Sequence, residues 1–399
     1  MTIIHVTAGI QETCGVSQYV VNTARAQQAL GHDVTIVTTM TCGYPVADLK
    51  VTLAETPVVA LSSMLGTRMP DAIVHIHSMW NAYVHRAATW CRHAGVPYVI
   101  SPHGSATPWA MRYKWWKKFP AWWLYQRADF YGAAAFHATV PEEEGDVRRL
   151  GFRQPVVVAP LGATVVESDV AEPDCCCPWR DIVFLSRIHP KKNVGALLRA
   201  WAMLTATKNK VRISSHKPRL VVAGSDDVGH QEELVALAKE LGLRVIDFSR
   251  DLEFGKKQIH GGGEVPVETF QMRLADCDAD VVFTGPVYSR AKDWMFAHAW
   301  VSVLPSHSEN FGGVVVESLA QGTPVIASKG TPWDVLETAG CGWWIEAKAE
   351  NLAATIQKVL DLSFDERREL SQRAKELVEN QYSWQSSAKL VVGFYETLV

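Results

Sequence analysis

Two rhythms of hydrophobic positions alternate along the chain. Short apolar runs bounded by turn residues read as strands, and longer stretches with apolar residues every three or four positions read as helices. Thr2–Thr7 is an apolar run. A polar loop with Gly9 and Gly15 follows, and Val16–Leu30 has helical periodicity that stops at Gly31-His32. Asp33–Thr38, Ala72–His77, Tyr98–Ser101 and Val156–Ala159 are further strand-like runs. The pattern breaks over Val165–Arg180, which is acidic, contains proline and has no period, so it reads as a linker. Alternation resumes with strands at Asp181–Ser186, Leu220–Gly224, Asp280–Thr284, Trp300–Leu304 and Pro324–Ala327. Helices are expected at Gln231–Leu241, Gly313–Gln321 and Leu352–Leu360. Strands separated by helices predict parallel sheets with crossover connections. The fold class is therefore α/β, with two doubly wound, Rossmann-like units of similar size. Ligands bind such sheets beyond the carboxyl ends of the strands, and two such edges facing across a cleft are expected. Asp247–Asp276 interrupts the second unit and carries Gly261-Gly-Gly263. Without a following helix, the triplet reads as part of an inserted, mobile loop rather than as a phosphate site.

Length agrees with two domains: 399 residues exceed one ordinary domain. The expected division is 1–165, a linker at 166–180, 181–380, and a last segment at 381–399 that is helical and apolar on one face. Hydrophobic residues at 48% and charged ones at 20% are ordinary for a soluble protein. A net charge of −3 provides no global basic field for nucleic acid. No apolar run approaches the roughly 18 residues that span a bilayer. Met1-Thr-Ile-Ile-His-Val lacks the basic start of a secretory signal, so a cytoplasmic location is expected. The eight cysteines do not form a disulfide pattern, and the adjacent Cys175-Cys-Cys177 are poorly spaced for zinc.

The densest candidate chemistry lies after the run that ends at Val303-Leu-Pro-Ser306. Ser306 to Gly313 forms a polar loop, and a helix follows. Amides of Phe311, Gly312 and Gly313 at a helix N-terminus favour an anion. Glu309 stands in the loop and Glu317 one turn inside the helix. Carboxylates at those two places can accept hydrogen bonds from two vicinal diols, one on a sugar and one on a ribose. Either glutamate alone reads as a cap or a helix surface residue, but together they are harder to dismiss. Ser186-Arg-Ile-His-Pro-Lys-Lys-Asn193 follows the first strand of the second domain, where Arg187 and Lys192 can converge on a phosphate.

At these residues the chain resembles the retaining glycosyltransferases of the GT-B fold, and glycosyltransferase family 4 (group 1) in particular. The resemblance rests on Glu309 and Glu317 with seven residues between them, Pro305-Ser306, Asn310-Phe-Gly-Gly313, Glu317-Ser-Leu-Ala and Gly322-Thr-Pro-Val-Ile-Ala. Phe283-Thr-Gly285 upstream and Gly340-Cys-Gly-Trp downstream extend it. It implies donor-binding roles for Gly15, Gly285, Ser306, Asn310, Phe311, Gly312, Gly313 and Glu317. It implies catalytic roles for His103, Arg187, Lys192 and Glu309, with the Arg187/Lys192 pair stabilising a departing diphosphate. It also implies that no metal and no cofactor is needed, so Asp278-Ala-Asp280 is expected to be an ordinary loop. His103, in Ser101-Pro-His-Gly104, is expected to position substrate. Relatives carry two glycines where this chain has Cys14-Gly15.

The resemblance further implies transfer of a hexose from a nucleotide sugar, UDP-hexose first and GDP-mannose next. The acceptor would be a glycan or lipid-linked glycan in exopolysaccharide or lipopolysaccharide biosynthesis. Two rivals remain at this point: a non-catalytic nucleotide-sugar-binding subunit of an assembly complex, or an epimerase or phosphorylase on the same scaffold. Trp109 to Arg127 sets five tryptophans among Arg112, Lys114, Lys117, Lys118 and Arg127. It reads equally as an interfacial segment on anionic inner-leaflet lipid or as a helical hairpin whose tryptophans cover the core.

Overall fold

The computed structural model describes residues 1–11, 14–66, 71–165, 179–206, 217–226, 228–249 and 267–399. Cys175-Cys-Cys177, Gly261-Gly-Gly263 and most of the expected linker lie outside them. The chain divides into two compact units, Met1–Gly162 with Gln381–Val399, and Ala163–Asn380.

The strands of the first unit are β1 (Thr2–Val6), β2 (Ile10–Gln11), β3 (Asp33–Thr38), β4 (Thr41–Cys42), β5 (Lys50–Leu53), β6 (Ala72–His77), β7 (Tyr98–Ser101), β8 (Ala135–Ala138) and β9 (Val156–Val158). Seven of them form a parallel sheet in the order β5-β3-β1-β6-β7-β8-β9. Because side chains alternate across a strand, each run supplies both faces. Ile4, Val74, Ile100 and Phe136 pack on the helices Pro57–Leu65 and Ala82–Ala94. Ile3, Ile73, Val99 and Ala135 pack on Gly15–Ala29 and Trp384–Tyr395. The latter helix docks where a side chain on Gly162 would strike the Trp384 backbone at 2.6 Å.

The second unit holds β10 (Trp179–Leu185), β11 (Lys217–Ala223), β12 (Val245–Asp247), β13 (Val281–Gly285), β14 (Val301–Leu304), β15 (Val325–Ser328) and β16 (Gly342–Ile345). They form a parallel sheet in the order β12-β13-β11-β10-β14-β15-β16. This is the GT-B fold, two Rossmann-like units. The expected insertion over 247–276 is corrected at both ends. Asp247 closes β12, and Val267–Ala275 is a helix that buries Phe270 and Leu274, four residues apart on one face.

The sheet face beneath Gly15–Ala29 and Trp384–Tyr395 is not wholly apolar. His5, His75, His77, Ser101 and His137 follow Ile3, Ile73, Val99 and Ala135 at two-residue steps, and all are buried. Two hydrogen-bonded chains satisfy them. In one, His137 Nε2–H donates to the Ala159 carbonyl at 3.0 Å, so its Nδ1 accepts from the Ser101 hydroxyl at 2.7 Å. Ser101 Oγ then accepts from His75 Nε2–H at 2.6 Å, and His75 Nδ1 accepts from the Tyr395 hydroxyl at 2.5 Å. In the other, His5 Nε2–H donates to Gln27 Oε1 at 2.7 Å, and His77 Nε2–H donates to His5 Nδ1 at 2.8 Å. His103 Nε2–H donates to His77 Nδ1 at 3.1 Å. Nitrogens of His5, His75 and His77 come within 4.8 Å of one another, the span of a metal site. These hydrogen bonds already occupy both nitrogens of each ring.

Burial lowers the pKa of His5 to about 4, of His137 to about 4 and of His103 to about 3. Burial, reinforced by the neighbouring imidazoles, holds His75 and His77 well below their ordinary value. Tyr19, Tyr395, Ser101 and Gln27 face the rings without charge. Glu143, whose charge reaches Tyr19, is held by the amides of Gly104 and Thr139. On unfolding, each histidine regains a pKa near 6.5, so below that pH the unfolded chain takes up protons that the folded one refuses. The stability is fully present above about pH 6.5 and is lost as pH falls toward 4. His5 alone removes about 2 kcal/mol between pH 6.5 and 5. Urea titrations should show the first unit unfolding at a clearly lower midpoint at pH 5 than at pH 7; equal midpoints would refute the neutral cluster.

Candidate functional site

In the second sheet β10 and β14 are neighbours, but the chain leaves them toward opposite edges. Loops diverging from two adjacent carboxyl ends open a crevice at such a switch point. The loop after β10 is shaped by local bonds. His189 accepts from the Lys191 amide at 3.1 Å, Pro190–Lys192 forms one 3-10 turn, and Asn193 is left-handed before the helix Val194–Ala206 begins. Gly224 lies beside it at the end of β11, where a Cβ would stand 1.8 Å from the Ser186 carbonyl oxygen. Only glycine lets these two strand ends approach so closely.

The loop after β14 is fastened to the same place. The His307 amide donates to the Lys191 carbonyl at 2.9 Å, and the Glu309 amide to the Gly330 carbonyl at 2.8 Å. The Ser328 hydroxyl holds the carbonyl of the buried Ser306. Gly312 adopts φ 78, a left-handed conformation that turns the chain into the helix Gly313–Ala320. Phe311 packs edge-on against Trp333 at 5.1 Å, and the Trp333 indole donates to the Phe311 carbonyl.

These constraints bring the expected side chains together. Glu309 Oε1 accepts from Lys192 Nζ at 2.5 Å and from the Ser306 hydroxyl at 2.6 Å. Glu317 pairs with Lys292 at 2.8 Å, a cation on the helix Ser289–His298 that sequence reasoning missed. Both pairs are largely screened from solvent, with side chains between 12% and 20% exposed. Burial lowers the Lys191 pKa; Glu309 opposes that shift, and repulsion from Lys192 and Arg187 adds to it. Arg187, Lys191 and Lys192 therefore share one field, with Arg187 the exposed member. Burial also raises the Asp293 pKa, with Glu317 adding to the rise and Lys292 opposing it. Gly285, left-handed at φ 74, ends β13 and accepts from the Gly224 amide at 2.9 Å. Several cations beside two carboxylates, at the start of a helix, have the chemistry to hold a ligand that is both anionic and rich in hydroxyls.

In the first unit, Gly15 opens the helix Gly15–Ala29 directly after Cys14. His103 follows β7 with φ 50, and Gly104 with φ 75. The turn is pinned by Glu143, whose carboxylate accepts from the Gly104 amide at 2.6 Å and the Thr139 amide at 2.9 Å. The paired Val-His-Ile-His alternation of β6 was the available signal for the buried cluster behind His103.

Elsewhere, Asp280 accepts from the Arg244 amide at 3.0 Å and Asp278 pairs with Arg244 and Lys217, so both acids serve local structure. Of the five tryptophans between 109 and 127, Trp122 packs on the core against Trp80, Phe130 and Phe152. Trp109, Trp115, Trp116 and Trp123 are about 60% exposed, and Tyr113, Phe119 and Leu124 beside them are exposed too. The hairpin reading therefore holds for one ring and fails for four. Among the described residues, no helix is long and apolar enough to cross a membrane.

Two family models match the chain: "Glycosyl transferase 4-like domain" over residues 14–162 and "Glycosyl transferases group 1" over 259–377. An uncharacterized glycosyltransferase of Methanocaldococcus jannaschii is 28% identical over 54% of this chain and 44% of its own length. A D-inositol 3-phosphate glycosyltransferase of a Nocardioides species is 33% identical over 37% of this chain and 26% of its own. The match thus spans less than half of these curated relatives. Solved structures match end to end at low identity. Anabaena HepE in complex with UDP has TM-score 0.67 and 13% identity, covering 100% of both chains. Sucrose-phosphate synthase from Thermosynechococcus elongatus has TM-score 0.62 and 18% identity, covering 100% of this chain and 98% of that one. WaaG, a glycosyltransferase involved in lipopolysaccharide biosynthesis, has TM-score 0.59 and 14% identity, covering 100% and 99%. A glycosyltransferase domain model thus matches within each unit: the chain carries a glycosyl transferase 4-like domain in the first and a group 1 glycosyl transferase domain in the second.

Proposed function

We propose that this chain is a retaining, metal-independent hexosyltransferase that takes a hexose from a nucleotide sugar, UDP-hexose in first place and GDP-mannose next. The observation that carries the reading is the crevice between the β10 and β14 loops, where Lys192, Glu309 and Ser306 meet and Glu317 follows one turn into the helix. HepE, a relative by fold, was solved with UDP, which fits this choice of donor. WaaG acts in lipopolysaccharide biosynthesis, which fits a glycan or lipid-linked glycan acceptor in cell-surface polysaccharide assembly.

In this reading Arg187 and Lys192 neutralise the diphosphate as it departs, which lowers the barrier most where charge develops most. The amides at the start of Gly313–Ala320 add their partial charge. Glu309 takes hydroxyls of the transferred sugar, and Glu317 those of the ribose. Each already binds an ammonium group, so a ligand exchanges one hydrogen-bond partner for another without exposing a bare carboxylate. His103 positions substrate. Departing phosphate takes the acceptor proton during front-face attack, and configuration is retained.

The exposed aromatic segment serves an anionic lipid surface. Four exposed tryptophans interleaved with Arg112, Lys114 and Lys117 match the chemistry of a headgroup layer, where rings lie at the interface and cations meet phosphate.

Two outcomes are expected. Arg187→Ala, at an exposed position, and the near-isosteric Glu317→Gln should each lower kcat/KM for UDP release from UDP-glucose about a hundredfold or more, with folded spectra intact and activity in EDTA unchanged. Near-normal turnover in either variant refutes the assignment. In flotation assays the protein should bind phosphatidylglycerol vesicles in preference to phosphatidylcholine ones. Neutralising Lys114 and Lys117 to Gln should weaken that binding about tenfold or more; indifference to lipid charge removes the membrane reading.

A further inference from the structure

His103 is the outermost ring of a chain that runs inward through His77 and His5 to Gln27. The direction of every hydrogen bond in it is set at the buried end. With the Gln27 amide placed so that Oε1, an acceptor, faces His5 and its buried Nε2 has no hydrogen-bond partner, His5 carries its proton on Nε2. His5 Nδ1 is then only an acceptor, and His77 must carry its proton on Nε2. By the same step His77 Nδ1 accepts, and His103 must carry its proton on Nε2. Among the described residues, no hydrogen bond reaches His103 Nδ1, and the residue as a whole is partly buried.

Packing fixes the plane of the ring as the chain fixes its proton. His77 stacks on His5 at 5.1 Å and on His103 at 5.4 Å, and Tyr19 meets His103 edge-on at 5.3 Å. The left-handed backbone at His103 and Gly104, held by Glu143, leaves the turn little freedom. A free neutral imidazole populates both tautomers, whereas one tied to an ordered donor–acceptor chain does not.

We propose that Gln27, His5 and His77 are positioning residues: they hold His103 as the Nε2–H tautomer and so present its Nδ1 lone pair, an acceptor, to a hydroxyl of the substrate. This deepens the glycosyltransferase reading and rests on it for the identity of the hydroxyl-bearing ligand. The tautomer itself does not depend on that reading. A hydroxyl group can donate to such a nitrogen, while a carbonyl or a phosphate oxygen cannot, so the device selects for a ligand hydroxyl at this point.

The test uses the full chain labelled with 15N-histidine. Long-range proton–nitrogen correlation at pH 7.5 reads the tautomer of each ring directly, with the His103 signals assigned by their loss in His103→Gln. The wild type should show His103 with Nε2 protonated and Nδ1 bare. In Gln27→Met, of similar size but without the strong acceptor, His103 should become a mixture of tautomers and kcat/KM for UDP-glucose should fall about tenfold. A wild-type His103 protonated on Nδ1, or a Gln27→Met protein whose His103 signals match the wild type, overturns the proposal. The wild-type measurement alone decides even if Gln27→Met does not fold. A wild type that turns over no nucleotide sugar would defeat the functional reading while leaving the tautomer result to judge the relay.

Discussion

The parallel pairing of β10 with β14 is the constraint on which the second unit's chemistry depends. Ile182 lies opposite Val301 and Val183 opposite Ser302, so two loops distant in sequence leave the sheet side by side. The intervening chain builds β11 to β13 on one side, and the chain after β14 builds β15 and β16 on the other. Lys192 and Glu309 join the two loops, 117 positions apart in sequence. The pair is costly to desolvate, and removing either partner would leave a charge with little water to compensate it. Such an arrangement is a poor way to gain stability and a suitable one for holding two charged groups ready for a ligand.

Close backbone approaches make that geometry reproducible. Glycine at 224 allows β10 and β11 to end almost in contact, and glycine at 330 allows its segment to pass the His307 carbonyl, where a Cβ would lie at 2.4 Å. Polar anchors complete the frame. Arg367, almost fully buried, donates to the carbonyls of Ala299, Trp300 and Gly322, and so fixes the entry to β14 and the exit from the helix that carries Glu317. The loop between them is thereby held from both ends, and Glu309 and Glu317 are not free to drift apart.

Much of this was legible in the sequence, because the central strands are long apolar runs and the Ser306-to-Glu317 stretch combines a strand end, paired glycines and a helix start. What escaped were elements whose signal is carried by the fold. β8, β12 and β16 have only three or four residues each, too few for a period to register, and β12 is a half-buried edge strand. Lys292 sits in a helix of mixed composition and gains meaning only when Glu317 is placed 2.8 Å away. The tryptophan-rich segment could not be resolved by periodicity, since an interfacial face and a core face use the same residues. Exposure excludes a core face for four of the five rings, and exposure is a property of the folded neighbours. His103 was visible as a histidine at a strand end, but the rings behind it belong to β1 and β6, and only sheet pairing brings them into line.

The two units settle the same problem, polar groups under packed helices, by opposite means. The second unit keeps formal charge and pairs it, carboxylate against ammonium, at the rim of its sheet. Beneath its two helices the first unit dispenses with charge: five imidazoles, a serine and a tyrosine hydroxyl are hydrogen-bonded along fixed directions in a buried region. The difference follows from depth. At a strand's carboxyl end a charged group keeps part of its hydration and can be exchanged for a ligand. Beneath two helices it cannot, and a neutral donor–acceptor chain is the cheaper solution. A neutral chain also carries information that an ion pair does not, because reversing one hydrogen bond reverses all those beyond it. A group as far inside as Gln27 can therefore determine which face of an imidazole, donor or acceptor, is presented at the surface.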